Sequence, residues 1–173
     1  MQSLIFADSH GNINFMLEQI RAHPDISLII HAGDCEEDAL LLREIFPQYT
    51  YATVPGNNDW MSREPVEKVE FFGGKKIFIT HGHTFSVKTG YDKLARKARE
   101  IGADVAVFGH THIPAMEFVN GVWLVNPGPA SRMCALLTVE GDQIRIDMIG
   151  KKISTVEKLI KKTAGYCEEK LRE

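Results

Sequence analysis

The sequence predicts an α/β protein, and three observations carry that reading. Five apolar, strand-like runs each end in a short cluster of carboxylate, imidazole or amide side chains. Segments with helical apolar spacing separate the runs of the first half, and such β-α-β alternation implies parallel strands covered by helices. In the second half, tight glycine-containing turns lie between strand-like runs and predict antiparallel pieces, a second sheet packed against the first.

The first run, Ser3-Leu4-Ile5-Phe6-Ala7, ends in Asp8-Ser9-His10. Ile13, Met16, Leu17 and Ile20 then recur at helical spacing, and His23-Pro24 stops that helix. The second run, residues 27–31, leads through Ala32 to Gly33-Asp34. Glu36-Glu37-Asp38 fill a first helical turn, where acidic groups suit the helix dipole, and the helix continues over 39–46 to Pro47. Residues 51–54 lead into Gly56-Asn57-Asn58-Asp59, and residues 76–80 into His81-Gly82-His83. Tyr91, Leu94, Ala95, Ala98 and Ile101 mark a third helix with Gly102 at its end. The last run, 105–108, delivers Gly109-His110-Thr111-His112. Gly73-Gly74, Asn120-Gly121 and Gly141-Asp142 are the predicted two-residue turns. Beyond them Ser154-Thr155-Val156-Glu157 fits a capping box, and Val156, Leu159, Ile160, Ala164, Cys167 and Leu171 form the stripe of an amphipathic helix over about 154–171. That helix either docks on the domain's own sheet or forms an oligomer contact.

At 173 residues the chain fits a single domain, 1–173, able to bury a core without staples. A formal charge of −3 argues against bulk capture of nucleic acid or anionic membrane. No run reaches the length of a membrane span, and the first residues lack the pattern of a secretory signal. Cys35, Cys134 and Cys167 are odd in number and far apart, which fits free thiols in a reducing cytoplasm.

Ligand-type side chains at the C-terminal ends of successive strands predict one metal site assembled from loops across the whole domain. Carboxylate, imidazole and amide donors suit Mn, Fe, Zn, Co or Ni. Gly33, Gly56 and Gly109 adjoin proposed ligands, where a tight turn or a close approach tolerates no Cβ. His110 and His112, two apart, suit an extended loop that presents them to neighbouring metals. A lone histidine is more often a structural hydrogen-bonding group, the reading given to His23 and His31, although His31 closes the strand that delivers Asp34. His83 stays open between a supporting role, a substrate contact and an exposed loop residue. Asp59 either caps its loop or orients a histidine.

The ordered blocks D-x-H, G-D, G-N-N-D, T-H-G-H and G-H-x-H resemble the calcineurin-like metallophosphoesterases. The wording H-A-G-D, G-N-N-D, T-H-G-H, G-H-T-H and N-P-G is most similar to their small YfcE-type phosphodiesterase branch, over roughly residues 1–149. The resemblance implies a four-layer sandwich, two mixed β-sheets packed face to face with helices on the outside. It implies two divalent metal ions per chain, Mn first with Fe, Zn, Co or Ni as alternatives, bridged by Asp34. Asp8, His10 and His112 would complete the first ion, and Asn57, His81 and His110 the second. Two such cations about 3.5–4 Å apart hold a bridging hydroxide for attack on a phosphoryl group. Many relatives read G-N-H-[DE] with a histidine that protonates the departing oxygen. Asn58 stands at that place, and an amide cannot act as an acid near neutral pH; His83 is the substitute candidate. Asn126-Pro127-Gly128 resembles a late family loop that usually continues with Ser, where this chain has Pro129. Arg132 beyond it is open between a phosphate clamp and an ordinary solvated arginine.

The function implied is hydrolysis of a small phosphodiester by a soluble, cytoplasmic enzyme. The same metal pair would serve a phosphomonoesterase or a nuclease-like activity, although no aromatic-plus-basic stripe favours extended nucleic acid. From another class, the family fold also occurs in a retromer coat subunit acting as a non-catalytic protein-interaction scaffold; a scaffold has no chemical need for the full ligand set carried here.

Overall fold

The computed structural model describes residues 1–151; the helix expected over 154–171, with its proposed oligomer contact, lies outside the described residues. The chain runs β1 (Gln2–Phe6), α1 (Asn14–Ala22), β2 (Ile26–His31), α2 (Glu36–Ile45), β3 (Thr50–Thr53), β4 (Glu67–Phe72) and β5 (Lys75–Thr80). A 3-10 turn (His83–Phe85), α3 (Asp92–Glu100), β6 (Val105–Val107), β7 (Ala115–Val119), β8 (Val122–Asn126), β9 (Met133–Glu140) and β10 (Gln143–Gly150) follow.

The strands form two mixed five-stranded sheets, ordered β10-β9-β1-β2-β3 and β4-β5-β6-β8-β7. Three strands run parallel in each: β1, β2 and the edge strand β3 in the first, with Ile5 opposite Ile30 and Ile30 opposite Ala52, and the central β5, β6 and β8 in the second. Antiparallel hairpins through the three expected turns, at Gly73-Gly74, Asn120-Gly121 and Gly141-Asp142, place β4 and β7 at the two edges of the second sheet and β10 at one edge of the first.

Alternation along each strand explains the layering. Ile5, Ile30 and Ala52 of the first sheet meet Ile77, Ile79, Val107 and Val125 of the second in one core. The intervening residues point outward. Leu4, Phe6 and Ile29 pack under Phe15, Met16 and Ile20 of α1 and Leu42 of α2. Phe78, Ala106, Phe108 and Leu124 pack under Leu94, Ala95 and Ala98 of α3. The result is helices, sheet, sheet, helix, the sandwich the resemblance implies. Central strands buried on both faces read as continuous apolar runs, which is why they are visible in the sequence.

The chain passes from the first sheet to the second after β3 and returns after β8. Those crossings carry Gly56–Asp59 and Asn126–Pro129, so both run through the region where the polar clusters gather.

Candidate metal centre

Loops from both sheets converge at one edge of the sandwich. Asp8 follows β1, Asp34 follows β2, Asn57 follows β3, His81 follows β5, and His110 and His112 follow β6. One oxygen or nitrogen from each of Asp8, His10, Asp34 and His112 lies within 4.8 Å of the others. On the other side of Asp34, His81 Nε2 is 3.5 Å from Asp34 Oδ1 and 3.2 Å from Asn57 Oδ1. The His110 ring is centred 5.1 Å from that of His81.

The two oxygens of Asp34 face different histidines. Oδ1 lies toward His81, while Oδ2 is 3.8 Å from His10 Nε2. Asn58 holds this carboxylate from the front, its backbone N–H donating to Oδ1 at 3.0 Å and its side-chain amide to Oδ2 at 2.9 Å. Asp8 accepts the His110 backbone N–H on both oxygens at 3.1 Å and lies 3.4 Å from His112 Nε2. Burial, partly offset by that N–H, pushes the Asp8 carboxyl up to about 7.

The protonation of His81 follows from its partners. Its Nδ1 is 2.7 Å from the Ala32 carbonyl, which can only accept, so Nδ1 carries the proton. Burial holds the ring down to about 4, hence neutral at pH 7, and Nε2 is left as a bare lone pair. That lone pair faces Asn57 Oδ1, Asp34 Oδ1 and, at 3.9 Å, Asp8 Oδ1. A group of electron-pair donors directed at one another is what a cation resolves. The donor set therefore fits a divalent metal, with the imidazole fixed from behind in the manner of metal-ligating histidines.

Local backbone conformation aims these groups. Asp8, His10, Asp34, His110 and His112 all have φ between 47 and 68°, the left-handed region that Asp and His enter only at a cost. The histidine loop is thus not extended, as its spacing implied: turns at His110 and His112 direct one ring toward His81 and the other toward Asp8. Two glycines let the loops interlock. A Cβ on Gly33 would sit 2.7 Å from the Gly56 nitrogen and 2.8 Å from His81 Nδ1, and one on Gly56 would collide with the Asp34 carboxylate.

A model of the calcineurin-like phosphoesterase superfamily domain matches residues 1–142. A probable metallophosphoesterase, YsnB of Bacillus subtilis, is 35% identical over 170 residues, covering 91% of this chain and 97% of the relative. This chain belongs to the calcineurin-like phosphoesterase superfamily. Among solved structures, Vps29 of Entamoeba histolytica complexed with zinc shares the fold at a TM-score of 0.70 and 21% identity, covering 87% of this chain and 99% of that one. A novel archaeal phosphodiesterase shares it at 0.64 and 23%, covering 86% and 100%.

Three supports of this calcineurin-like site stand at positions the sequence singles out, with partners that only the fold reveals. Asp59 gathers the backbone N–H groups of Gly56, Asp34, Cys35 and Glu36 at 2.6, 3.0, 2.9 and 2.9 Å, tying the Gly56–Asp59 crossing to the start of α2. Burial works to raise this carboxyl, and the four donors outweigh it and hold it below the usual range. Buried Asn126 donates to the Gly109 carbonyl and Thr111 Oγ1 and accepts the Gly128 N–H, so the N-P-G turn braces the histidine loop. Ser9 links His31 Nε2, at 3.1 Å, to the Asp34 carbonyl, at 3.3 Å; burial keeps His31 near 4 and uncharged. His83 opens the 3-10 turn with its ring centred 5.5 Å from that of His81, and its buried Nδ1 has no protein partner among the described residues. Burial pushes the Cys35 thiol up, away from the thiolate that metal binding needs.

Proposed function

We infer that this protein is a metal-dependent phosphodiesterase using two divalent ions, manganese foremost, on a small diester. The observation that carries this reading is the divided orientation of Asp34, with one oxygen toward His81 and the other toward His10. Asp8, His10 and His112 would hold one ion with Asp34, and Asn57, His81 and His110 the other. Bound divalent ions supply Lewis acidity toward phosphoryl oxygens and acidify water for attack at neutral pH. The chain's own part is positioning: Asn58 fixes the Asp34 carboxylate, Ala32 fixes the His81 tautomer, and Asn126 and Asp59 fix the loops.

The diester preference draws on the resemblance to the small phosphodiesterase branch and on the fold shared with the archaeal phosphodiesterase. Among the described residues no helix is long and apolar enough to cross a membrane, and the unpatterned cysteines favour a cytoplasmic setting. A non-catalytic scaffold role would leave the converging donor set without a chemical use. Chelation of the purified protein should abolish hydrolysis of bis(4-nitrophenyl) phosphate, and added Mn should restore it. Full activity in protein verified as metal-free would overturn the assignment.

A further inference from the structure

Beside the candidate metal centre, at the start of α2, lies a hollow of about 320 Å³ that the ligand set does not use. Glu36, Glu37, Leu40, Asn58, Trp60 and Met61 line it. Trp60 is 87% exposed and Met61 93%, and Leu40 adds a further exposed apolar side chain. Side chains of this kind placed together in water mark a surface that receives something. Asn58 joins the hollow to the metal centre, since the same amide donates to Asp34 Oδ2.

The charge of the hollow decides what enters. No Lys or Arg lines it, whereas two glutamates and Asp59 do. The start of α2 would ordinarily attract an anion through its free N–H groups. Here the N–H groups of Cys35 and Glu36 are already taken by the Asp59 carboxylate, and Glu36 and Glu37 stand at the same end, so its charge does not favour a phosphate or carboxylate. An exposed indole face among carboxylates attracts the opposite ligand, a weakly hydrated organic cation.

We propose that this hollow seats one alcohol substituent of the diester, and that the substituent carries an alkylated ammonium group lying on Trp60. The proposal rests on the phosphodiesterase reading for the position of the phosphate and names the substrate class: zwitterionic diesters in which the amino-alcohol half occupies the hollow. Glu36 and Glu37 supply countercharge and exclude substituents that bear a second anion. Met61 and Leu40 cover the methyl groups.

The test is calorimetric binding to the Mn-loaded full chain of three phosphomonoesters of similar size: phosphocholine, its neutral carbon isostere 3,3-dimethylbutyl phosphate, and 4-carboxybutyl phosphate. Phosphocholine should bind about tenfold tighter than the isostere, a typical return for a partly desolvated cation–π contact, and the carboxylate ester more weakly than either. Trp60→Ala, at an exposed position that leaves the fold intact, should bring phosphocholine and the isostere to equal affinity. The Glu36→Gln, Glu37→Gln double variant should raise affinity for the carboxylate ester. Equal or undetectable affinity for all three esters, or a preference that survives Trp60→Ala, overturns the proposal. If the binding order holds but 4-nitrophenyl phosphocholine is not hydrolysed, the phosphodiesterase reading fails and the selectivity of the hollow stands.

Discussion

The two halves of the candidate metal centre are built differently. Around His81 one imidazole is buried and set in advance: its ring is fully enclosed, its tautomer is fixed by the Ala32 carbonyl, and burial keeps it neutral, while Asn57 beside it is exposed and His110 half-buried. Around His10 and His112, although Asp8 between them is buried, both imidazoles are open. Their side chains are 40% and 47% exposed, and the rings are held chiefly by each other, Nε2 to Nε2 at 3.3 Å. Asp34 is common to both halves. A donor already fixed in the binding geometry retains an ion because no side chain has to be ordered when the ion binds. An open position is completed by the ion itself and exchanges it readily. One site can thus combine a resident cation with an exchangeable one.

Removing the shared group should have the largest effect. Asp34→Asn takes away the charge that both halves use, so metal content should drop at both positions and turnover should fall on the order of 10³-fold, about 4 kcal/mol of transition-state stabilisation. Near-native turnover with two retained ions would break the comparison at its centre. Asp59→Asn acts on the frame of the buried half. An amide oxygen and an amide NH₂ would replace a carboxylate that accepts four N–H groups, and denaturant unfolding should show a loss of roughly 2–3 kcal/mol. Turnover should fall far less than with Asp34→Asn.

Acidity sharpens the contrast further. The carboxyl of Asp8 titrates at about 7 because burial disfavours its charge. Below pH 7 the empty site holds a proton there that a cation must displace, so affinity should weaken as pH falls, up to about tenfold per unit from this group. Above pH 7 that dependence should flatten. Mn titrations between pH 5.5 and 8 check both limbs, and a flat response below pH 7 would place Asp8 outside the ligand set. The smallest effect concerns Asn58. As an amide it cannot donate a proton to a departing alkoxide, so hydrolysis should depend steeply on leaving-group acidity. Asn58→His gives up the bond to Asp34 Oδ2 yet should raise the alkyl-to-aryl diester rate ratio severalfold. Identical leaving-group slopes in the two proteins would show that Asn58 does not stand in the acid's place.

Much of this was legible before any coordinates. Ile5, Ile30, Ile77 and Val107 belong to strands enclosed on both faces, so their runs are apolar throughout and end abruptly at the polar clusters. The three hairpin turns are announced by Gly73-Gly74, Asn120-Gly121 and Gly141-Asp142 because left-handed backbone needs such residues. The partners of the supports were hidden for a physical reason. Asp59 reaches groups up to 25 residues away in the chain, and Asn126 reaches back 17 residues to Gly109. Such hydrogen bonds leave no local periodicity. The left-handed φ of His110 and His112 is imposed by the loop's packing rather than by its residue types, which is why spacing alone implied an extended loop. The 87% exposure of Trp60 is set by how its loop packs, which no local sequence pattern reports.

The most direct test of a site with two unequal positions around Asp34 is the time course of ion release. Mn-loaded protein is mixed with excess chelator, and retained metal is measured against time in the native chain, in His112→Ala and in His81→Ala. The account predicts two ions per chain leaving in two phases, the fast phase absent in His112→Ala and the slow phase absent in His81→Ala. A single ion leaving in one phase, or two phases indifferent to which histidine is removed, would contradict it.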